Sequence, residues 1–491
     1  MQNAAFLPVA FEVIQLAGAL LVLLVAVVAG KQRKFWAPIA GVAFLASFGV
    51  GLLQWREVAE TGAGFFFSTQ DLAIVRSPMV VMDGFSAFAA IVLGLVGFVA
   101  LLGSWDLIKV LGRRSPEFVS LTLLAVAGLH MMTATPNLVV IFVGLETASI
   151  SFYILAGFIR DSKESDESAL KYFLLGSLAS AMFLYGVALT FGATGSLTIY
   201  GANSIRDFFS LTIITEPGIL LAGLALMLVG LFFKVSAAPF HQWAPDVYQG
   251  APSGAVGLMA AGVKVAGFAA LARIFVGGFG AHIDTWAPIV AVVAAISMVV
   301  GTTMALVQYD LKRLLAYSGV AHAGYLLTTM VAGAEGVPAM WFYVSTYAFM
   351  IIGAFTIVSV VYGPTSSEAP IDALRGLARR SPELGWLLAI IMFGMSGMPF
   401  FAGFVGKVFA FVVAGDAGYL WLVVIGTLTT VIGLAFYLRV VSMIFSSGEG
   451  DREIEPSMSA RFAVVISATV TVTFGIVPWP LLDVVREALP L

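Results

Sequence analysis

The sequence predicts an all-α polytopic membrane protein with about 14 transmembrane helices. Of the 491 residues, 60% are hydrophobic and only 11% are charged, and the mean hydropathy is +1.01, whereas soluble domains carry about 25% charged residues. The apolar residues fall into runs of roughly 20, the length that crosses about 30 Å of hydrocarbon. Two of the longest runs contain an internal proline, which predicts interrupted helices.

The apolar runs follow one another with short connections, and each is predicted to be a helix because an open sheet cannot satisfy its backbone in lipid. The runs are 9–30, 35–54, 83–103, 118–135, 137–159, 169–191, 218–247, 254–276, 285–307, 311–332, 338–362, 384–415, 418–445 and 460–479.

Lysine and arginine concentrate in cytoplasmic loops of membrane proteins, which gives the orientation. Sixteen of them lie at or after the ends of odd-numbered runs, and they include Lys31, Arg33, Lys34 and Lys312. Four lie on the opposite side: Arg56, Arg76, Arg206 and Arg486. Both chain termini are therefore predicted on the noncytoplasmic side. Arg273, at a helix end, is ambiguous.

The two interrupted runs carry matching segments, Ser236–Phe240 (SAAPF) and Ser396–Phe400 (SGMPF), five predicted helices apart. An odd offset makes the repeat inverted, and inverted repeats with broken helices are typical of transporters. We expect an N-terminal three-helix segment (1–117), two five-helix repeats (118–276 and 285–445) and a C-terminal loop and helix (446–491).

Four charged side chains lie inside apolar runs, where a charge costs at least about 2.5–3.5 kcal/mol. Glu146 is about 15 Å into its run; Lys234 precedes the Pro239 break, Lys264 is near the middle of the eighth run, and Lys407 follows Pro399. Desolvation disfavours the ammonium form of lysine, whereas a nearby carboxylate stabilises it. Glu146 and Lys234 are therefore the predicted proton switch.

Histidine supplies further candidate proton carriers, because imidazole titrates near neutral pH. His322 is at the middle of the tenth run and His241 directly follows the Pro239 break, so both are included in the site; no motif supports His130. Lys171, near the start of the sixth run, is also included, although snorkelling to the interface explains it as well. One carboxylate among several lysines favours protons over sodium, which prefers several oxygen ligands.

The composition excludes other chemistries. Cysteine is absent, which excludes disulfides and cysteine-ligated zinc or iron–sulfur clusters in this chain. The net charge of −3 gives no indication of nucleic-acid binding. We expect no cofactor, metal or redox centre in this chain.

At these residues the chain resembles the antiporter-like membrane subunits of respiratory complex I, and the resemblance covers essentially the whole sequence. The most specific match is Phe233–Pro252 (FKVSAAPFHQWAPDVYQGAP). The other matches are Val263–Ala266, Gly144–Glu146, Asp310–Ser318 and Gly397–Lys407. Lysine at position 407 and the lack of a lateral helix after the last run fit the subunit N branch, the counterpart of mitochondrial subunit 2.

The resemblance implies a proton-translocating subunit of a NADH:quinone oxidoreductase in the bacterial inner membrane. It assigns the glutamate and lysine of the switch to Glu146 and Lys234, the connecting lysine to Lys264 and the terminal lysine to Lys407. It also implies that NADH, FMN, iron–sulfur clusters and quinone bind in partner subunits, and that the neighbours are other antiporter-like and small membrane subunits together with lipids.

Two alternatives stay open at this point. Multisubunit cation/proton antiporters share the fold, so the chain could be driven by an ion gradient. A purely structural membrane subunit is the second alternative, but it does not explain why Glu146 and three lysines lie inside apolar runs.

Overall fold

The computed structural model describes residues 6–28, 36–61, 65–67, 78–201, 203–211, 218–447 and 454–490. Within them the chain is almost entirely helical, which confirms the all-α membrane class. The residues 31–34, Arg76, Arg452 and both chain ends, on which part of the predicted orientation depends, lie outside the described residues.

The helices of the N-terminal segment precede a first group that contains the Pro239 break. The N-terminal helices are α1 (Ala10–Val28), α2 (Trp36–Thr61), α3 (Gly84–Gly103) and α4 (Trp105–Leu111). The first group consists of α5 (Ser115–Thr133), α6 (Leu138–Ala156), α7 (Lys163–Thr194), α8 (Ile205–Leu211), α9 (Gly218–Lys234), α10 (Trp243–Gly250) and α11 (Ser253–Leu271), which continues as a π-helical turn, Ala272–Gly278.

A second group contains the Pro399 break, and two helices follow it. The second group consists of α12 (Ile283–Leu306), α13 (Leu311–Met330), α14 (Val337–Tyr362), α15 (Leu377–Arg380), α16 (Pro382–Ser396), α17 (Ala402–Asp416) and α18 (Leu420–Phe445). The last two are α19 (Met458–Ile476) and the short amphipathic α20 (Trp479–Glu487). A two-stranded antiparallel ribbon, β1 (Phe65–Phe67) with β2 (Val80–Met82), was not predicted from the sequence.

Eleven helices of the described chain are long and apolar enough to cross a membrane. Eleven of the predicted runs coincide with them, and the other three are the two interrupted runs and α13. The interrupted runs are split into shorter helices, and α13 carries many polar side chains that face the protein interior. The total of 14 spans and the inverted repeat stay predictions.

Several helices extend beyond their apolar runs because polar residues cap them. Helix α7 begins at Lys163, where the Ser162 hydroxyl accepts a hydrogen bond from the Ser165 N–H, and it ends before Gly195, which is left-handed. Such caps satisfy the free backbone groups at helix ends. Hydropathy alone placed this helix at 169–191, too short at its start.

The core is formed by α11, α13 and α14, whose residues are nearly all buried, with α1, α2, α18 and α19 at the periphery. Small residues let the helices approach closely. At the α5–α6 crossing, a Cβ on Gly144 would lie 2.8 Å from the Gly128 carbonyl oxygen. This close crossing fixes α6, and with it Glu146, against the rest of the bundle.

Candidate functional site: a buried lysine and histidine axis

Both predicted helix interruptions are present. Helix α9 ends at Lys234 and α10 begins at Trp243; α16 ends at Ser396 and α17 begins at Ala402. Each break contains a non-glycine residue with positive φ, Ser236 at 60° and Phe400 at 73°. Such conformations are uncommon and cluster at functional sites. The breaks turn the backbone so that helix-end carbonyl groups point into the protein.

Lys234 is 3% exposed, and its ammonium donates a hydrogen bond to the Ser149 hydroxyl at 2.5 Å. Ser149 in turn donates to the Leu145 carbonyl of its own helix. Tyr172 lies below the ammonium, with its ring centre 5.9 Å away. The lysine is therefore held by a serine and an aromatic face.

Glu146 lies three residues before Ser149 on α6, so both side chains project from the same helix face. Its Oε1 atom is buried and accepts no hydrogen bond. Lys234 donates its hydrogen bond to Ser149 and not to Glu146, so the proton switch between Glu146 and Lys234 stays a prediction.

Lys264 connects the first break to the second half of the protein. It is 2% exposed and donates to the Val235 carbonyl at 3.2 Å, directly beside Lys234 in sequence. Its ammonium lies 5.8 Å from the ring centre of Tyr347. A Cβ on Gly319 would lie 3.2 Å from the Tyr347 hydroxyl and 3.6 Å from the Lys264 ammonium, so this glycine keeps the space between them open.

His322 lies on the far side of Tyr347, with 4.8 Å between the ring centres. Its Nδ1 faces the Tyr343 hydroxyl at 2.8 Å and its Nε2 faces the Tyr437 hydroxyl at 3.1 Å. Because a hydroxyl can donate or accept, His322 keeps both hydrogen bonds in either neutral tautomer and when protonated. This environment suits a group that gains and loses a proton.

Lys407 forms the end of the axis. It is 4% exposed, donates to the Ser396 carbonyl at 3.0 Å, and lies 4.5 Å from the ring centre of Tyr325. His322 and Lys407 line one cavity of about 10 Å³, close to the roughly 10–15 Å³ that one water needs. Lys264 and Lys407 thus each bind a carbonyl freed by a helix break, where the helix dipole favours a cation.

His241 and Lys171 are not part of this connected row. The His241 ring contacts Tyr317 at 6.2 Å, and its Nδ1 is buried without a hydrogen bond. Lys171 is partly exposed and forms ion pairs with Glu167 and Asp246, both at 2.6 Å. Asp246 also binds Arg313. The geometry gives Lys171 a role in holding α10 between α7 and α13, and its part in proton transfer stays a prediction.

Two basic residues that the orientation argument treated as loop or end charges are buried. Lys312 is fully buried and donates to the carbonyls of Gln249, Ala251 and Ser366. Arg273 is fully buried and binds Asp83 through both guanidinium nitrogens at 2.9 Å. Residue type alone does not distinguish such side chains from loop charges.

Sequence reasoning missed Ser149 and the tyrosines of the axis. The available signal was helical spacing, because Ser149 follows Glu146 by three and Tyr325 follows His322 by three. Tyr343 and Tyr347 are four apart on α14 and both meet His322. Within the described residues, no group of three or more His, Cys, Asp or Glu side chains is placed to hold a metal ion.

Fold and site together define a polytopic helical membrane protein of the antiporter type. The family model described as NADH:quinone oxidoreductase/Mrp antiporter, TM matches residues 135–433, a segment that contains Glu146, Lys234, Lys264, His322 and Lys407.

Two relatives and one solved structure identify the branch. NADH-quinone oxidoreductase subunit N 1 of Solibacter usitatus is 41% identical over 404 residues, 82% of each chain. NADH-quinone oxidoreductase subunit N of Trichlorobacter lovleyi is 38% identical over 459 residues, 91% of this chain and 93% of the relative. A chain of respiratory complex I from Thermus thermophilus has a TM-score of 0.81 at 32% identity and covers 97% of this chain and 99% of its own length. The chain belongs to the NADH-quinone oxidoreductase subunit N family, which confirms the resemblance.

Proposed function

We propose that this chain is a proton-translocating subunit of the membrane arm of a NADH:quinone oxidoreductase, and that Glu146, Lys234, Lys264, His322 and Lys407 carry the protons. The observation that supports it most is the connected row from Ser149 to Ser396, in which three lysines and one histidine are buried and each has hydrogen-bond partners. A structural subunit has no need of three buried ammonium groups in apolar helices.

The axis requires water between its members. The Val235 and Ser396 carbonyls accept hydrogen bonds but carry no proton, so they position the lysines without relaying protons themselves. Transfer from Lys264 to His322 passes the Tyr347 hydroxyl, and transfer from His322 to Lys407 passes the small cavity that both side chains line. Lys407 then exchanges its proton with the noncytoplasmic side.

Glu146 and Lys234 form the switch at the start of the row. A carboxylate that approaches Lys234 favours the ammonium form, and one that withdraws leaves desolvation to favour the neutral amine. The described arrangement, in which Lys234 donates to Ser149 and not to Glu146, supports the separated state. A change in the distance between the Glu146 carboxylate and the Lys234 ammonium changes this balance.

The redox chemistry belongs to partner subunits in this proposal. NADH, FMN, iron–sulfur clusters and quinone bind there, and this chain lies in the bacterial inner membrane beside other antiporter-like and small membrane subunits, with both termini on the noncytoplasmic side. A multisubunit cation/proton antiporter is the second candidate function, because the matching family model includes Mrp antiporters.

Purification of the chain from native membranes distinguishes the two functions. We expect flavin and iron–sulfur proteins to copurify, and NADH oxidation by quinone in proteoliposomes to drive proton uptake without any sodium gradient. Copurification with other membrane subunits alone, together with proton movement that follows an imposed sodium gradient and ignores NADH, would replace the proposal with the antiporter.

A further inference from the structure

A buried histidine–carboxylate pair lies between α1 and α5, outside the segment that matches the family model. His130 on α5 is fully buried, and its Nδ1 lies 2.7 Å from Glu12 Oε1 on α1. Glu12 is only 8% exposed. The proposed proton axis uses neither residue.

The hydrogen-bond partners of the His130 ring indicate where its protons lie. Nδ1 faces a carboxylate oxygen and Nε2 faces the Ser86 carbonyl oxygen at 3.4 Å. A carbonyl oxygen only accepts, so a hydrogen bond at this position requires a proton on Nε2, and the Nδ1–Oε1 hydrogen bond then requires one further proton between those two atoms. This contrasts with His322, whose two hydroxyl partners accept any protonation state.

A third contact favours positive charge on the ring. Phe11 stacks on His130 with 4.0 Å between the ring centres and 24° between the planes. An aromatic face attracts a cation, and the neighbouring residue Glu12 supplies the compensating negative charge.

Other ionisable groups on the helices around His130 are engaged elsewhere or are distant. Helix α5 packs against α1, α2, α3, α4, α6 and α11. Asp83 at the start of α3 binds Arg273 beyond α11, and Lys264 on α11 binds the Val235 carbonyl. Glu146 and Tyr153 are the ionisable residues of α6, and Tyr153 packs against Tyr172 on α7. Three charged residues lie at the end of α2 beyond Gln54: Arg56, Glu57 and Glu60. Five more lie at or just before the start of α5, about 20 Å or more along the helix from His130: Asp106, Lys109, Arg113, Arg114 and Glu117.

A polar seam between α1 and α2 leads to the pair. Gln15 donates to Ser47 at 2.9 Å and Gln54 donates to the Leu7 carbonyl at 2.7 Å. Glu12 Oε2, Gln15 Oε1 and Gln54 Oε1 are buried oxygens that accept no hydrogen bond from the described protein. Buried acceptors of this kind take water as donor, so the seam is suited to hydrate the pair.

We propose that Glu12 and His130 form a proton-binding site, separate from the axis, that holds one proton between carboxylate and imidazole and is hydrated along the α1–α2 seam. The site lies toward the start of α1 and the end of α5, the side predicted to be noncytoplasmic. It therefore takes its proton from that side.

Nitrogen NMR of the full chain in lipid nanodiscs tests this site. The chain contains four histidines, so labelling histidine with 15N and glutamate with 13C gives a small spectrum, and His130→Gln assigns the signal. At pH 7.5 we expect a proton shared by the pair, seen as an imidazolium ring or as a protonated carboxyl beside it. Glu12→Gln should convert an imidazolium His130 to the ordinary neutral form, whereas the control Glu57→Gln should leave the His130 signal unchanged.

Two results overturn the proposal: a neutral His130 beside an ionised Glu12 carboxylate at pH 7.5, or an imidazolium signal of His130 that persists unchanged in Glu12→Gln. If the His130 variant does not fold, the carboxyl signal lost in Glu12→Gln assigns Glu12. The wild-type spectrum alone then decides whether the pair holds a proton.

Discussion

At the residue scale, three buried lysines are stabilised by uncharged oxygen atoms. Lys234 donates to a serine hydroxyl, and Lys264 and Lys407 donate to helix-end carbonyls. A hydrogen bond to a charged group contributes about 1.5–3 kcal/mol, but a neutral oxygen does not fix the charge as a salt bridge does. Each lysine can therefore lose its proton and keep its place.

Ser149 accepts the hydrogen bond of Lys234, so its substitution tests whether this contact supports proton transfer. Ser149→Ala removes the hydroxyl that accepts the hydrogen bond from Lys234 and leaves the ammonium without this acceptor, so we expect proton pumping to fall several-fold while the complex still assembles. Pumping and NADH oxidation should be measured in the same proteoliposomes. Ser151→Ala is the matched control, because Ser151 is buried on the same helix and donates only to the Thr147 carbonyl. Equal effects of the two substitutions would remove Ser149 from the site.

At the element scale, the two broken helices place the carbonyls that hold the lysines. Proline alone predicts a break, but the direction in which the chain leaves depends on residues with positive φ. Gly397 is one of these, at φ 84°, and it packs on the Lys407 side chain. The break and the position of the terminal lysine are therefore fixed together.

Gly397→Ala tests the second break. A Cβ in a left-handed conformation costs about 1–2 kcal/mol, and here it would also lie 3.1 Å from the Lys407 ammonium. We expect a lower unfolding temperature and a marked loss of pumping. Gly415→Ala lies in α17, beyond the break, where the nearest atom to an added Cβ is 4.0 Å away, and it should change neither. A Gly397→Ala protein that pumps normally would show that the break does not position Lys407.

At the scale of the whole molecule, the orientation rests on charge bias. Because the chain contains no cysteine, a single introduced cysteine is the one thiol of this chain that a maleimide can label. We expect Arg375→Cys to react with an impermeant maleimide from the cytoplasmic side and Asp483→Cys from the other side. Both positions are exposed ends of ion pairs at the surface. The reverse labelling would invert the topology.

The sequence predicts the fold class because the apolar runs are long enough to cross a membrane. It predicts the axis lysines because a charged residue inside such a run is easily recognised. It does not predict what the lysines bind. Ser149, Tyr343 and Tyr437 come from distant helices, and their contacts with Lys234 and His322 exist only after packing. Lys171 and Lys312 are both basic residues near the start of an apolar run, and the sequence does not distinguish them. In the structure Lys171 forms a surface ion pair with Asp246, whereas Lys312 is fully buried and donates to backbone carbonyls.

The central claim is that protons move through the Glu146–Lys234 switch. Pumping and NADH oxidation should be measured together in fully assembled, reconstituted complexes that carry Glu146→Gln, Lys234→Ala or Lys234→Arg, with the exposed Lys163→Ala as control.

We expect Lys234→Ala to lose most pumping, because it removes the proton carrier and leaves Glu146, whose Oε1 atom is buried, without a nearby cation. Glu146→Gln should lose less, and Lys234→Arg should not restore pumping, since guanidinium stays protonated. Normal pumping in both Glu146→Gln and Lys234→Ala would contradict the account and favour a structural subunit.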